Sequence, residues 1–248
     1  MCDYLLGGKD NFAADRAAAE RLIEAIPDVA AIARDNRSFV ARVVRYLATA
    51  AGIRQFLDLG SGLPTQANVH ELARAAAPDA RVVYVDNDPV VALHGQVLLA
   101  SSGQAGMVLG DLQHPAAILQ HPAVTGRLDL TLPVAVLCTS TLHFIAGRAC
   151  PHTIIAAYRD RMAPGSYLAI THGTYEGDPW GEGGKAADVY RRASSQLHIR
   201  PLPEVLQFFD GFELVEPGLT WITEWRPDPG TAPTGRSQSL CGGLGRKP

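Results

Sequence analysis

A chain of 248 residues with 47% hydrophobic and 19% charged residues can bury a sizeable core and lacks the composition of a disordered polypeptide. Its 22 Lys and Arg stand against 25 Asp and Glu, a net charge of −3, which gives no electrostatic reason to expect nucleic acid or an anionic membrane as partner. The four cysteines, Cys2, Cys138, Cys150 and Cys241, form no C-x-x-C pair, which argues against a zinc site or disulfide framework and fits a cytoplasmic location.

The first ten residues carry no apolar stretch behind a basic start, so no secretory signal is visible. After the Gly7-Gly8 turn signal, Phe12–Ile26 reads as a helix closed by Pro27. A second follows, with Ile32, Asn36, Phe39, Val40, Val43, Val44 and Leu47 at helical spacing and Gly52 as its stop. The pattern then changes. Short apolar runs at Gln55–Leu59, Arg81–Val85, Met107–Leu109, Val134–Cys138 and Tyr167–Thr171 alternate with helical candidates at Gln66–Ala77, Pro89–Ala100, Pro115–Gln120 and Thr153–Met162. Runs of nearly unbroken hydrophobicity predict parallel strands buried on both faces, with helices on either side. The longest uncharged run, Leu130–Gly147, contains Pro133, Thr139, Ser140, Thr141 and His143 and suits a strand entering a polar loop, not a membrane span.

In the last third, Ala186–Leu197 and Pro203–Phe209 read as helices, Glu213–Glu216 and Leu240–Gly245 as a terminal strand pair, and Arg226–Ser239 as an exposed loop. The expected fold is α/β and doubly wound: a mostly parallel, seven-stranded sheet with an N-terminal helical cap and a C-terminal antiparallel pair. One domain is expected to span 1–248, with the cap over 1–52 and the core over 53–248.

The chemistry concentrates in Phe56-Leu57-Asp58-Leu59-Gly60-Ser61-Gly62-Leu63-Pro64, a strand running into a glycine-rich turn. Glycines let the backbone bend tightly and let a ligand approach its amides. By itself such a turn is common. Three acids sharpen it: Asp58 two residues before Gly60, Asp86 ending Val82-Val83-Tyr84-Val85-Asp86, and Asp111 after Val108-Leu109-Gly110. All three fall at the C-terminal ends of adjacent predicted parallel strands, where open α/β sheets bind ligands; an acid at the second strand end is placed to accept ribose hydroxyls.

The order D-x-G-x-G, strand-Asp, G-D-L resembles the S-adenosylmethionine (SAM)-binding core of class I methyltransferases. The wider text resembles a bacterial family of S-adenosyl methyltransferases. It does so through Asp3 to Phe12 (Asp-Tyr-Leu-Leu-Gly-Gly-Lys-Asp-Asn-Phe), Phe56–Pro64, Tyr84–Pro89, Leu142-His143-Phe144, Ala163–Leu168 and Gly242–Lys247. The resemblance implies a Rossmann-like fold and methyl transfer from SAM. Asp58, Gly60, Ser61 and Gly62 would line its methionine part; Asp86 would hold the ribose, with Asn87 beside the adenosine; Asp111 would accept from the adenine amino group, with Leu112 packing on the ring. Tyr4, Lys9 and Asn11 would fold over the cofactor, Lys9 meeting its carboxylate. Pro64 stands where many class I enzymes have a third glycine.

Each assignment has a plainer counterpart. Asp86 can cap the helix beginning near Pro89, and Asp111 can be a cap as well. His143, after the fourth strand, is a candidate general base or a hydrogen-bonded loop histidine, and His172 is a weaker candidate. Trp180, Trp221 and Trp225 line an acceptor pocket or fill the core. Glu182-Gly183-Gly184-Lys185 reads as a loop, a lid or a surface turn. The expected partner is a small-molecule methyl acceptor bearing O, N or C, with no nucleic acid, membrane or metal. Two other functions share these features. An NAD(P)-dependent oxidoreductase would need a glycine where Thr65 stands, and a non-catalytic SAM-binding protein would keep the same cleft.

Overall fold

The computed structural model describes residues 1–63, 68–100, 102–176, 182–191, 196–230 and 239–248. Three helices, α1 (Cys2–Leu5), α2 (Ala13–Ala25) and α3 (Val29–Thr49), precede β1 (Gln55–Leu59). Strands and helices then alternate through α4 (Val69–Ala76), β2 (Arg81–Asp86), α5 (Pro89–Leu99), β3 (Ala105–Leu109), α6 (Pro115–Leu119), α7 (Pro122–Thr125), β4 (Ala135–Thr139), α8 (Pro151–Arg159) and β5 (Tyr167–Gly173). The chain ends with α9 (Glu182–Tyr190), α10 (Leu202–Gln207), β6 (Glu213–Leu214), β7 (Thr220–Trp221) and β8 (Leu240–Arg246).

The five apolar runs become parallel strands in the order β3-β2-β1-β4-β5, and β8 closes antiparallel on β5. Every residue of β1 is buried, as a strand covered on both faces requires. The sheet holds eight strands, not the expected seven, because its outermost position is split. Both β6 and β7 pair antiparallel with β8, one at Leu214↔Gly245 and the other at Thr220↔Gly242, and the chain leaves the ladder between them.

Alternation along the strands sorts side chains into two layers. Phe56, Val82 and Tyr84 pack with Phe39, Val40, Val43, Val44 and Leu47 of α3 and with α4 and α5. Leu57, Leu59, Val83 and Val85 pack with α6, α7, α8 and α10 on the opposite face. A third, smaller cluster (Leu5, Ala19, Leu22, Ile26 and Ala186) joins α1, α2 and α9.

Two sequence expectations change here. Glu182–Lys185 opens a helix and is not a loop, and that helix stops at Tyr190 instead of running to Leu197. Two glycines cost a helix roughly 1 kcal/mol each, and the packing of Ala186, Val189 and Tyr190 against the α2 cluster offsets this. Trp225 is fully buried in the core beside Phe39, Trp221 packs partly buried against the opposite layer, and Trp180 lies outside the described residues. Among the described residues no helix is long and apolar enough to cross a membrane.

Candidate functional site

Strand order reverses between β1 and β4, since β1 leads outward to β2 and β3 whereas β4 leads to β5. At such a reversal the following loops diverge and leave a crevice beyond the strand tips. A cavity of about 250 Å³ opens there, with Asp58, Gly60, Ser61 and Gly62 from β1, and Thr139 and Ser140 from β4, on its floor.

The glycine turn is held from below. Gly60 N–H and Ser61 N–H both donate to Val85 O, at 2.7 and 3.2 Å. Gly60 has φ +72°, and a Cβ there would overlap the Thr141 side chain, whose hydroxyl donates to Leu59 O at 3.0 Å. Glycine is therefore required twice over, by backbone conformation and by space. Gly62, at φ +64°, donates its N–H to Asp86 Oδ2 at 2.8 Å. The other oxygen, Oδ1, accepts from Asp88 N–H at 3.0 Å. Asp86 thus ties the tip of β2 to the turn, while Asp88 performs the helix capping through Val90 N–H at 2.8 Å. Burial raises the Asp86 pKa, and the amides of Asp88 and Gly62 oppose that rise.

Asp58 is buried on the cavity floor. Burial pushes its carboxyl up to about 7, with the Arg37 guanidinium opposing the shift and Asp86 adding to it. Arg37 comes from α3, lines the same cavity, and makes no hydrogen bond or ion pair among the described residues. Its neighbour Asn36 accepts from Thr171 Oγ1 at 2.8 Å, and Thr171 Oγ1 in turn accepts from Ser140 N–H at 2.8 Å. That chain holds Ser140 at φ +54°, a left-handed conformation rare for serine. Sequence reading missed Arg37, since one arginine of an amphipathic helix looks like another until the helix is docked.

His143 reaches the cavity as expected, on a 3₁₀ turn spanning Leu142–Phe144. Its Nδ1 accepts from Gly173 N–H at 3.4 Å, which leaves the ring proton on Nε2. Burial, then the neighbouring His172 and Arg200, hold its pKa well below the ordinary value. His172 is not in the cavity. It is fully buried, with Nδ1 on Gly173 O at 2.7 Å and Nε2 on Arg200 Nη1 at 3.0 Å, and burial lowers it to about 4. Arg200 also donates to Leu142 O and Ile145 O, at 3.0 and 2.6 Å, and so clamps the turn that carries His143.

Asp86 stands behind the glycine turn and does not itself line the cavity, and the remaining predicted residues lie off it as well. Asn87 is exposed beside Asp86. Asp111 serves a turn, accepting from Gln113 N–H at 2.9 Å. Leu112 is buried in the hydrophobic layer, its carbonyl accepting from Tyr158 at 3.0 Å. Tyr4 donates to Glu20 at 3.4 Å, and Lys9 is exposed. Asn11 donates to Asp3 and to Gly8 O, at 2.8 and 2.9 Å, bracing the N-terminal segment instead of facing the cavity. What that segment does bring to the cavity is Cys2, Asp3, Leu5 and Leu6.

The donor set suits the cofactor that the sequence implied. A buried carboxyl, Asp58, and the Arg37 guanidinium on the same cavity match the ammonium and carboxylate of an amino acid. Each Asp86 oxygen keeps a second lone pair for a ribose hydroxyl.

Comparison with known proteins gives a consistent result. The family described as S-adenosyl methyltransferase matches residues 1–248. A Thermobifida fusca YX protein assigned as a methyltransferase, solved by crystallography, is 43% identical, with 99% of this chain and 92% of that chain covered and a TM-score of 0.94. A DUF574 family protein from Streptomyces avermitilis is 40% identical over 100% of this chain and 95% of its own, again with a TM-score of 0.94. The N-methyltransferase NodS of Bradyrhizobium japonicum, 12% identical over 89% of this chain and 99% of its own with a TM-score of 0.53, shares the fold alone. No curated protein matches the chain. With its strand order, its glycine turn and a family match along its whole length, the chain belongs to the S-adenosyl methyltransferases.

Proposed function

We propose that this methyltransferase moves the SAM methyl group to a small molecule bound in the cavity above the glycine turn. One observation carries the reading: Asp58, Gly60–Gly62 and Arg37, which makes no hydrogen bond among the described residues, line one cavity at the strand-order reversal. Asp58 receives the ammonium and Arg37 the carboxylate, taking the part expected of Lys9. Asp86 and Asn87 serve the ribose. Asp111 stands at the tip of the adjoining strand, toward the adenine.

When bound, SAM supplies an electrophilic methyl on a sulfonium, so the protein's work is alignment and exclusion of water, which can contribute about 7–11 kcal/mol. The Nε2–H of a neutral His143 is a donor, which suits positioning an acceptor atom better than removing its proton. A cavity of about 250 Å³ and a net charge of −3 favour a small acceptor over a nucleic acid.

The test is calorimetric titration with SAM. Wild-type protein should bind, and Asp86→Ala, which removes charge-assisted bonds worth about 1.5–3 kcal/mol each, should bind roughly ten- to a hundredfold more weakly. Equal affinity in a folded variant overturns the ribose assignment. Release of S-adenosylhomocysteine with the low-molecular-weight fraction of a bacterial extract, but not with its tRNA or protein, is expected for the acceptor class; the reverse result overturns it.

A further inference from the structure

Above the floor, Leu5, Leu22, Ile32 and Leu197 make the cavity wall apolar, and Phe144 and Tyr190 add two rings with centroids 5.3 Å apart. Two neutral side chains bring nitrogen donors to the same cavity: Asn36 from α3 and His143 from the 3₁₀ turn after β4. Both are held by the end of β5. Thr171 Oγ1 gives its one hydrogen to Asn36 Oδ1 at 2.8 Å, which leaves the amide NH₂ as the free end of that side chain. Gly173 N–H donates to His143 Nδ1 at 3.4 Å, which leaves the ring proton on Nε2. Residues 171 and 173 stand about 7 Å apart along one strand, so a single strand tip fixes both donors. Neither Asn36 Nδ2 nor His143 Nε2 has a hydrogen-bond partner among the described residues, and neither atom is sealed off by the residues around it.

Beside these donors, no described group is placed to take a proton from an acceptor. Burial keeps His143 neutral, and its basic nitrogen is already occupied by Gly173. Burial also holds the Tyr190 phenol protonated, far above its ordinary range. Two carboxyls line the cavity. Asp58 meets the ammonium on the SAM reading, and Asp3 serves the N-terminal segment, with Oδ2 accepting from Asn11 at 2.8 Å and Oδ1 buried against Gly8. An alcohol that must lose its proton during transfer therefore finds no base here. A carboxylate is ionised at neutral pH before it enters, and its oxygens, which only accept, match a pair of N–H donors.

Resting on the SAM reading of the floor, we propose that the methyl acceptor is the carboxylate of a compact, largely apolar acid, held by Asn36 Nδ2–H and His143 Nε2–H, and that the product is its methyl ester. The hydrocarbon body of the acid lies against the apolar wall. In the transfer, a lone pair of one carboxylate oxygen forms the new bond to the methyl carbon. The S–CH₃ bond breaks with its electron pair staying on sulfur. The negative charge of the acid and the positive charge of the sulfonium cancel, so the products are a neutral ester and S-adenosylhomocysteine, and no proton moves. A site with donors and no base suits that reaction.

Ligand-observed NMR titration of the full chain, saturated with S-adenosylhomocysteine, tests this. Phenylacetate, 2-phenylethanol and 2-phenylethylamine share one body and differ in the head group. Wild-type protein should bind the acid at least tenfold more tightly than the alcohol or the amine. His143→Phe should bring the acid down to the level of the alcohol, with binding of the alcohol and of S-adenosylhomocysteine changed less than threefold. Asn36→Asp keeps an acceptor for Thr171 and puts an oxygen where the NH₂ stood; it should abolish the acid preference too, and it decides the matter if His143→Phe fails to fold. Equal binding of the three probes overturns the proposal, as does a preference for the alcohol or the amine, binding of none of them, or an acid preference that survives both substitutions. A tenfold loss of S-adenosylhomocysteine affinity in His143→Phe also overturns it, by placing that donor on the cofactor. If the wild-type protein binds no S-adenosylhomocysteine at all, the SAM reading falls and the proposal with it; if the cofactor product binds and the acid preference is missing, the proposal falls alone.

Discussion

The floor and the roof of the cavity are built by different physics. The floor is backbone at the tips of β1 and β4, locked by parallel pairing on both sides and backed by two large hydrophobic layers. The roof is three helices, two of them under ten residues, joined by a separate cluster of five buried side chains. A small cluster of this kind opens at lower free energy than the strands beneath it. On the proposed reading, cofactor recognition sits on the rigid part and acceptor access on the part that can give way. This division suits an enzyme that must admit one ligand over another.

Four experiments would break or sharpen that contrast. The largest effect is expected from Gly60→Ala, which meets both a left-handed φ and the Thr141 side chain. Backbone strain of about 1–2 kcal/mol and overpacking of about 1–3 kcal/mol should together lower global stability, read as a large drop in the urea midpoint with loss of SAM binding. A normal midpoint would show that the floor yields as readily as the roof.

Next comes Arg37→Ala. Losing one charge-assisted contact of about 1.5–3 kcal/mol should weaken SAM binding roughly tenfold or more, yet leave methylthioadenosine, which lacks the amino-acid end, unaffected. Equal losses for both ligands would remove Arg37 from that role.

Asp58 gives a pH signature. Its folded pKa of about 7 lies above the ordinary 3.8, so between those values the folded state holds a proton that the unfolded state releases. Stability from this group therefore falls as pH rises through the window and is recovered on acidification. Asp58→Asn should flatten that dependence and stabilise the ligand-free protein at alkaline pH. SAM, which needs the carboxylate ionised, should release a proton on binding near neutral pH, measurable by calorimetry in buffers of different ionisation enthalpy. No proton release there would mean that Asp58 does not meet the ammonium.

The smallest effect is Ile26→Val, about 0.5–1.5 kcal/mol for one lost methylene. Hydrogen exchange should quicken in α1, α2 and α9 and stay unchanged in β1 and β4. If the strands quicken equally, roof and floor are one cooperative unit.

This same contrast explains what the sequence disclosed. The floor was readable because burial on both faces writes itself as an unbroken apolar run: Gln55–Leu59 was expected and found with identical bounds. Where side chains are small the signal fades, and β3 begins at Ala105 and Gly106, two residues before its expected start. The two residues of β7 carry no period at all; β8 holds them in place from across the sheet. The roof was the least legible. At four residues α1 is too short for periodicity, and the Gly183-Gly184 pair concealed the start of α9. In the site, Asp58, Gly60 and Gly62 declared themselves by spacing. Arg37 did not, because its place beside Asp58 emerges only when α3 is docked on the sheet.

The placement of β8 between β5 and the outer β6 and β7 bears on how the protein is made. A ribosome delivers residues in order, so through most of translation β5 has one edge without a neighbour and β6 and β7 have nothing to pair with. An open edge of this kind invites pairing with other nascent chains. Glycines at 242, 243 and 245 leave room on the faces of the arriving strand for Phe39 and Ile222, for Phe209 and for Phe212, which a Cβ would meet, so the outer part of the sheet closes only once β8 is in place.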